Sequence, residues 1–538
     1  MTLQNKKNKV LRSILLVLLI TLFISSTVYA YTVLDEAKYL IKNYYIENVS
    51  DEVLNKPTIK EMVEALKDPY SVYFSKSEYN DFVNGIDMKF SGIGVRFEVV
   101  PEGVKVLSVL KGSGAERAGI KEGDIIIEAD GKSLAGITED KVALYLRGDE
   151  GTTVNVKVKR GSNIISFSIT RKIIETPTVE GSIINGHTAY IKISSFGEDT
   201  ADKFGNILKD MNKQNPANYI VDLRDNPGGY LDTALNIAGY FIGDGTVVKV
   251  RDRDGDEVEY KAYKHDIRID KPLIFLVNEN SASASEVLTG AIKDYNTAYI
   301  IGNRTFGKGL VQTMFGLSDG SYLKLTVLKF LSPLGNEINK VGITPHFNAD
   351  SITSGLIAEL LSGYSKEGHD KTGYAKVKLG NREFEIDLKT ARQEKYYSAY
   401  KMILDKAKEE GNYIKLGSSI GWVDVPQDLK NDEYFMYYPD YKKLKDLIDV
   451  PVNKKFTVNF NVNINRSTIE NSIELLEANT GRRLSLSFEF VDDKTVRAVP
   501  KENLKQGGEY YFIVNPTVKG QSGVEMKEGT ISLVKVIK

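Results

Sequence analysis

The spacing of apolar residues divides the chain into regions of different predicted secondary structure. Between residues 33 and 84, apolar side chains such as Ala37 and Ile41 recur every three or four positions, which is typical of amphipathic helices. From residue 89 to 172 the pattern changes to short runs that alternate between apolar and polar residues. Val154–Val158 is one example, and glycines separate these runs. This second region is therefore predicted to consist of short β-strands joined by turns.

Residues 178–348 combine both kinds of pattern. Four short, largely apolar runs predict buried strands, and the helical segments between them predict crossover connections of an α/β fold. The runs are Ala189–Ile193, Tyr219–Leu223, Leu273–Val277 and Ala298–Ile301. Val247–Tyr260 predicts a hairpin that turns at Asp254 and Gly255.

The C-terminal part of the chain differs again. Residues 351–445 show a mixed pattern that predicts no single architecture, so we expect a linker or a small mixed domain there. Residues 446–538 carry short alternating strands separated by turns, the pattern of an all-β sandwich. These strands are Phe456–Val462, Leu484–Phe490, Thr495–Val499 and Tyr510–Val514.

Composition narrows the classes of function. The chain has 538 residues, of which 42% are hydrophobic and 27% charged, as in ordinary globular proteins. A net charge of −1 gives no reason to expect nucleic acid as a partner. There is no cysteine and there are only four histidines, so we expect neither a disulfide framework nor a metal site, and no cofactor.

The N-terminus predicts export. Basic residues precede an apolar run, Ile14–Ile24, and small residues follow up to Ala30. This order is typical of a secretory signal. Because the apolar run is short for a membrane-spanning helix, which needs ~20 residues, residues 1–30 could be a cleaved signal peptide or a membrane anchor.

Ser281–Glu286 is a run of small residues between a predicted strand and a predicted helix. Ser283 lies at this strand-to-helix corner, where the first free N–H groups of the helix could stabilise an oxyanion. Alanines on both sides leave the approach open for a peptide. A capping box, in which Ser283 and Glu286 satisfy backbone donors, is the structural alternative, but it does not explain the small residues.

Lys308 lies between two glycines in the following loop, and no histidine lies between it and Ser283. A lysine can act as the base for a serine if burial keeps its amine neutral, and Gln312 could orient that amine.

Two other motifs match known patterns only in part. Gly302–Gly309 nearly matches a phosphate-binding loop, but it lacks the final Ser or Thr and a strand is predicted after it. Gly417–Gly421 matches the G-x-S-x-G pattern, although no histidine follows it, which favours a polar loop.

A third segment, Asp222–Gly229, follows another buried strand. Its two glycines, Gly228 and Gly229, allow the backbone to approach a substrate carbonyl. We expect their N–H groups to form an oxyanion hole together with the N–H of Ala284.

These motifs together resemble those of the carboxyl-terminal processing peptidases, also called tail-specific proteases. The resemblance covers roughly residues 35–348 and rests on the segments Asp68–Tyr73, Gly92–Val95, Leu223–Gly229, Ser281–Glu286 and Phe306–Gln312. It implies that Ser283 is the nucleophile, Lys308 the general base and Gln312 the partner of the lysine. Asp294 matches a position implicated in some members, and Asp225 stands where asparagine is commoner in the family.

The family also carries a PDZ domain, which residues 89–172 resemble. The resemblance implies a carboxylate-binding loop whose backbone N–H groups hold a peptide C-terminus while the peptide adds as a β-strand. This loop consists of Ser91, Gly92, Ile93, Gly94 and Val95. The tail from about residue 450 resembles the bacterial Ig-like domains of surface proteins, which implies a role in attachment or spacing.

The sequence thus predicts a multidomain α/β (α+β) protease core with an inserted PDZ domain and a C-terminal Ig-like sandwich. The expected segments are 1–30 (signal or anchor), 31–88 (helical), 89–172 (PDZ), 173–350 (catalytic core), 351–445 (linker or small domain) and 446–538 (Ig-like).

The predicted function is that of an exported serine endopeptidase that recognises the apolar C-terminal tails of protein substrates. Membrane or cell-wall association is expected, and the N-terminal helices could mediate a homodimer. The alternative is a non-catalytic PDZ scaffold or cell-surface binding protein with a decayed protease core, which intact Ser283, Lys308 and Gln312 disfavour.

Overall fold

A computed structural model describes residues 32–429 and 432–538. The predicted export segment, residues 1–30, lies outside the described residues. No helix within the described ranges has both the length and the apolar character needed to cross a membrane. Two compact units make up the described chain: one contains residues 32–85, Val250–Val258 and Leu310–Lys329, and the other contains the remainder.

The first unit begins with the predicted helices. Thr32 and Asp35 form a capping box that starts the first helix, and Ala37 and Ile41 form its buried face. This face belongs to a core that includes Leu323 and Leu325 from the later segment of the same unit. The elements up to residue 86 are α1 Val33–Tyr44, α2 Asp51–Leu54, α3 Ile59–Ala65, β1 Val72–Phe74 and α4 Lys76–Ile86.

The region predicted to be a PDZ domain is an antiparallel sheet of the order β3-β4-β5-β7-β8, in which β6 pairs with β5. Alternate residues of β7, including Val154, Val156 and Val158, enter its core, as their spacing predicted. Its elements are β2 Lys89–Gly92, β3 Val95–Val100, β4 Gly103–Val109, α5 Gly114–Ala118, β5 Ile125–Ala129, β6 Lys132–Ser133, α6 Glu139–Leu146, β7 Thr153–Arg160, β8 Asn163–Thr170 and β9 Lys172–Glu175.

The next region is built on a sheet of the order β10-β11-β12-β15-β16-β19. The pair β10/β11 is antiparallel, whereas the other pairs are parallel. Its elements are β10 Val179–Ile184, β11 Thr188–Ile193, α7 Thr200–Asn212, β12 Asn218–Asp222, α8 Leu231–Ile242, β15 Leu273–Val277, α9 Ala284–Asp294, β16 Tyr299–Gly302 and β19 Phe347–Asn348. Four strands that fall between these along the chain belong with β1 to a separate five-stranded sheet: β13 Thr246–Arg251, β14 Glu257–Lys261, β17 Leu310–Gly316 and β18 Tyr322–Leu331. The four predicted apolar runs are confirmed as β11, β12, β15 and β16. Every residue of β12 and β15 is buried, as expected for parallel strands covered on both faces.

Residues 351–445, whose pattern predicted no architecture, form helices packed on a four-stranded sheet of the order β21-β20-β22-β23. The elements are α10 Ser351–Leu361, β20 Tyr374–Leu379, β21 Arg382–Asp387, α11 Leu388–Ala391, α12 Glu394–Glu409, β22 Ile414–Ser418, β23 Gly421–Asp424 and α13 Glu433–Tyr437. The G-x-S-x-G segment is the tip of the β22/β23 hairpin, so the prediction of a polar loop there is confirmed.

The C-terminal region is the predicted two-sheet sandwich. One sheet has the order β24-β31-β30-β27, with β25 also paired to β31, and the other has the order β26-β29-β28. The strands are β24 Tyr441–Lys443, β25 Leu447–Val450, β26 Phe456–Asn459, β27 Ile473–Glu477, β28 Leu486–Phe490, β29 Thr495–Pro500, β30 Glu509–Val514 and β31 Gly529–Val536. One hydrophobic core runs from Tyr299 and Phe347 of the parallel sheet through Tyr400 of α12 to Ile513 of the sandwich. Residues 351–445 are therefore part of the folded body and not a loose linker.

Candidate active site

Ser283 occupies the sharp corner between β15 and α9. Its backbone has φ of 55° and ψ of −115°, outside the regions that non-glycine residues normally occupy. Such a conformation costs roughly 1–3 kcal/mol and occurs mainly where function requires it. The capping box with Glu286 is also present. The structural alternative is thus realised, but a cap alone would not require a strained serine.

The three serines of the segment differ in their surroundings. Ser281 and Ser285 are completely buried. Their hydroxyls donate to main-chain carbonyl oxygens of the segment Asp222–Gly229, which we call the glycine loop. The acceptors are Leu223 (2.8 Å) and Asn226 (2.9 Å). Ser283 is partly exposed. Of the three, Ser283 is therefore the one placed to meet a substrate.

The glycine loop lies directly against this corner. A Cβ atom on Gly228 would lie 2.9 Å from the Ser283 Cβ and 3.0 Å from the Ala284 nitrogen, so only glycine allows this approach. The N–H of Gly228, however, donates to the side-chain oxygen of Asn226 at 2.8 Å. Among the described residues, the amides of Gly229 and Ala284 donate to no protein acceptor. These two N–H groups are therefore available for the predicted oxyanion hole, which stays a prediction.

Asn226 shapes this loop, although sequence reasoning gave it no role. It is completely buried, and its side-chain nitrogen donates to the carbonyl oxygen of Ile193 at 2.9 Å. Its own carbonyl oxygen accepts the N–H of Ala282 at 3.0 Å, one residue before Ser283. Its side chain thus orients Gly228, while its backbone connects the glycine loop to the nucleophile corner.

Asp225 provides a second connection. Its Oδ1 accepts the side-chain N–H groups of Asn278 and Asn280, each at 2.8 Å. Its N–H donates to Asn278 Oδ1 at 2.9 Å. The hydrogen bonds from Asn280 and Asn278 hold the pKa of this carboxyl below its ordinary value. Asp225 has φ of 62°, a conformation that Asp and Asn adopt more readily than most residues.

Lys308 is partly buried, and it lies in a loop, the lysine loop, between Gly307 and Gly309. Steric constraints require glycine at both of these positions. Gly307 has φ of 91°, and its carbonyl oxygen accepts the N–H of Lys340 at 2.7 Å. A Cβ atom on Gly309 would lie 2.3 Å from the nitrogen of Asn339. The glycines therefore let the lysine loop pack against the following turn.

Glu286 connects the loop that carries Lys308 to the corner at Ser283. This side chain is completely buried. Its Oε2 accepts the N–H of Ser283 at 3.0 Å and that of Lys308 at 2.8 Å. Its Oε1 accepts the Thr305 hydroxyl at 2.6 Å and the N–H of Gly307 at 2.7 Å. Burial raises the pKa of the Glu286 carboxyl, while these four hydrogen bonds oppose the rise.

The remaining predicted residues have separate positions. Asp294 lies at the other end of α9 from Ser283, where it accepts the N–H of Leu334 at 2.8 Å. Gln312 belongs to the first unit, and its side-chain nitrogen donates to the carbonyl oxygen of Leu310 at 3.2 Å. Its contact with Lys308 stays a prediction.

The predicted carboxylate-binding loop, Ser91–Val95, connects β2 to β3. Gly94 has φ of 86°, and a Cβ atom there would lie 2.2 Å from the Ser113 Cβ, so the turn requires glycine. β3 is the last strand in the order of its sheet. Within the described residues its outer edge has no neighbouring strand, and a peptide could pair with it there.

Four family descriptions match the chain. They are Activating protease CtpB N-terminal domain at residues 25–78, PDZ domain at 91–170, Peptidase family S41 at 187–349 and Bacterial Ig-like domain at 445–532. These matches confirm the predicted fold class: an α/β protease core, an inserted PDZ domain and a C-terminal Ig-like sandwich.

Named relatives agree with these matches. The chain is 36% identical to the Carboxy-terminal processing protease CtpA of Bacillus subtilis (strain 168), over 59% of this chain and 68% of the relative. It is 41% identical to a Probable CtpA-like serine protease of Staphylococcus aureus (strain bovine RF122 / ET3-1), over 58% of this chain. It spans only 63% of that relative's length. A solved structure, a photosystem II D1 C-terminal processing protease, is 28% identical over 59% of this chain and 92% of its own, with a TM-score of 0.41.

Proposed function

The chain belongs to peptidase family S41, and we propose that it is a serine endopeptidase that binds protein substrates by their apolar carboxyl-terminal tails and cleaves them upstream. The observation that carries this proposal is the arrangement around Ser283. A strained, partly exposed serine lies against a glycine loop, and one buried carboxylate holds both its amide and that of Lys308.

In the proposed reaction, the Ser283 hydroxyl attacks the scissile carbonyl carbon and Lys308 takes the proton. The N–H groups of Gly229 and Ala284 stabilise the oxyanion. When the C–N bond breaks, Lys308 returns the proton to the leaving amine. Water then attacks the acyl-enzyme, Lys308 accepts its proton, and the Ser283 hydroxyl is restored as the ester bond breaks. Gln312 would position the lysine side chain.

Tail recognition is assigned to the PDZ domain. A substrate tail would add as a strand along β3, and the loop Ser91–Val95 would hold its terminal carboxylate. The open edge of β3 and the glycine turn at Gly94 support this assignment. Amidation of the carboxyl terminus of a peptide should weaken its binding at least tenfold, since the loop would lose a charged acceptor, ~1.4 kcal/mol or more. Equal affinity for the amidated and free peptides would contradict this assignment.

The decisive experiment compares two serine variants in cleavage of a quenched fluorescent peptide with an apolar carboxyl terminus. Ser283→Ala should abolish cleavage without lowering the melting temperature. Ser419→Ala, in the G-x-S-x-G hairpin tip, is the matched control and should cleave like the unchanged chain. Full activity of Ser283→Ala would refute the assignment, and no cleavage by the unchanged chain would favour a non-catalytic scaffold.

The pH dependence tests the base. If Lys308 takes the proton, activity should rise with pH as the amine loses its own proton, and Lys308→Ala should be inactive. If Lys308→Ala kept its activity and its pH–activity profile had a midpoint near the pKa of histidine, the Ser-Lys assignment would be contradicted.

We further propose export through residues 1–30, with membrane or cell-wall association. Recovery of the chain only in the cytoplasm of its host would contradict this.

A further inference from the structure

The guanidinium of Arg224, in the glycine loop, lies against the first turns of α10. Its Nε donates to Asp222 Oδ1 at 2.9 Å, and the Asp222 side chain is 2% exposed. Its Nη1 donates to the carbonyl oxygen of Ser351 and, at 3.3 Å, to the hydroxyl of Ser354. The catalytic sheet and the helix after it thus hold opposite sides of one side chain, in the same loop that carries Gly228.

Gly355 of α10 completes this pocket for the guanidinium. A Cβ atom at Gly355 would lie 3.3 Å from Arg224 Nη1 and 3.7 Å from Nη2. Glycine inside a helix is less favourable than alanine. A glycine inside a helix therefore needs a compensating reason, and here it leaves room for the guanidinium.

The same turn of α10 also contacts the nucleophile segment. The Ser351 hydroxyl accepts the side-chain N–H of Asn278 at 3.1 Å. Asn278 in turn holds the backbone N–H of Asp225 at 2.9 Å. α10 therefore touches the glycine loop through Arg224 and the segment that leads to Ser283 through Asn278.

On the basis of the proposed function, we propose that α10 is a positioning element. It holds the glycine loop, which supplies the oxyanion hole, against Ser283, and Arg224 is the positioning residue. α10 contributes Ile357 and Ala358 to the core that continues into the Ig-like sandwich. α10 lies between the S41 and Ig-like matches, so a helix outside both matches is thereby assigned a positioning role in the reaction.

Gly355→Ala separates positioning from stability, because the two effects have opposite signs. The added methyl group should favour the helix and therefore leave the melting temperature unchanged or raise it. It should also displace the guanidinium by a few tenths of an ångström, and misplacement of catalytic groups by about 1 Å can cost about a hundredfold in rate. We expect kcat for the quenched peptide to fall at least about threefold, with KM within about twofold and an unchanged or higher melting temperature.

Gly85→Ala is the matched control, since Gly85 also lies in a helix but has nothing within 4 Å of an added Cβ. It should leave kcat and KM unchanged. Three results would each overturn the proposed positioning role of α10. They are an unchanged kcat for Gly355→Ala, a change in KM alone, and a fall in kcat accompanied by a lower melting temperature. No cleavage by the unchanged chain would instead count against the proposed function, so the two failures are distinguishable.

Discussion

Glu286→Gln removes one charge from the buried carboxylate and changes the size of the side chain very little. The two carboxylate oxygens accept four donors, and three of these are backbone N–H groups that cannot reverse their role. The fourth, the Thr305 hydroxyl, already accepts the N–H of Ile343 at 2.7 Å, so its own proton is directed to Glu286. A glutamine amide placed either way round turns two of the four hydrogen bonds into contacts between donors.

A buried donor left without an acceptor costs about 1–3 kcal/mol, so two of them amount to roughly 2–6 kcal/mol. The loops can avoid part of this cost by moving apart, which would separate Ser283 from Lys308. We therefore expect a lower unfolding free energy in urea, a kcat reduced by about a hundredfold, or both together. The assays are urea unfolding followed by fluorescence and cleavage of the quenched peptide.

Glu279→Gln is the control for this prediction. Glu279 is an exposed carboxylate on the same segment, and it accepts one side-chain hydrogen bond, from Asn303 at 3.0 Å. Its substitution should change neither quantity. If Glu286→Gln matched the unchanged chain in both assays, the carboxylate would not be what holds the two loops together.

Two further predictions follow from the titratable groups. Burial lowers the pKa of His346 to about 4, and its Nδ1 accepts the N–H of Ile300 at 2.9 Å. In the unfolded chain His346 takes up a proton near pH 6.5, so folding stability should fall by up to about 1.4 kcal/mol per pH unit as the pH drops from 6.5 to 4. Urea midpoints should depend less steeply on pH for His346→Asn than for the unchanged chain. An equal dependence would contradict this prediction. Asp225→Asn should keep kcat within about twofold, since both side-chain hydrogen bonds go to Oδ1, which asparagine retains. Asp225→Ala loses both bonds and should lower kcat about tenfold. Equal kcat values for the two variants would refute a role of these hydrogen bonds in the reaction.

The sequence was sufficient to predict the nucleophile corner because its signals are local. A strand, a run of small residues and a helix follow one another within a short segment, so the position of Ser283 could be read directly. The role of Glu286 could not, because a capping box already explains a glutamate three residues after a serine. Its contacts with Gly307 and Lys308 form only when the chain folds. The hydrogen bond from the N–H of Gly228 to Asn226 could not be predicted either, because it depends on the orientation of the Asn226 side chain.

The sequence predicted no architecture for residues 351–445 because their hydrophobic core is shared with neighbouring regions. Side chains of α10 and α12 pack with residues of the parallel sheet and of the sandwich in one hydrophobic core. Each segment therefore shows only part of an apolar pattern. Asp294 illustrates a different limit: a resemblance supplies a position but no distance. α9 has 11 residues, and at 1.5 Å per residue its far end is about 16 Å from Ser283, so Asp294 does not contact that serine.

The adjacent residues Asp225 and Asn226 explain why the chain can depart from the family's common asparagine at one position. Asn226 uses its side-chain nitrogen to donate to Ile193 and its oxygen to accept from Gly228, so it needs one donor and one acceptor. An aspartate there would place an acceptor against the carbonyl oxygen of Ile193 inside the protein, at a cost of about 1–3 kcal/mol or more. Asp225 is exposed and uses one oxygen, which aspartate and asparagine supply equally. The glycine loop is therefore expected to tolerate a change of charge at position 225 and to require an amide at position 226.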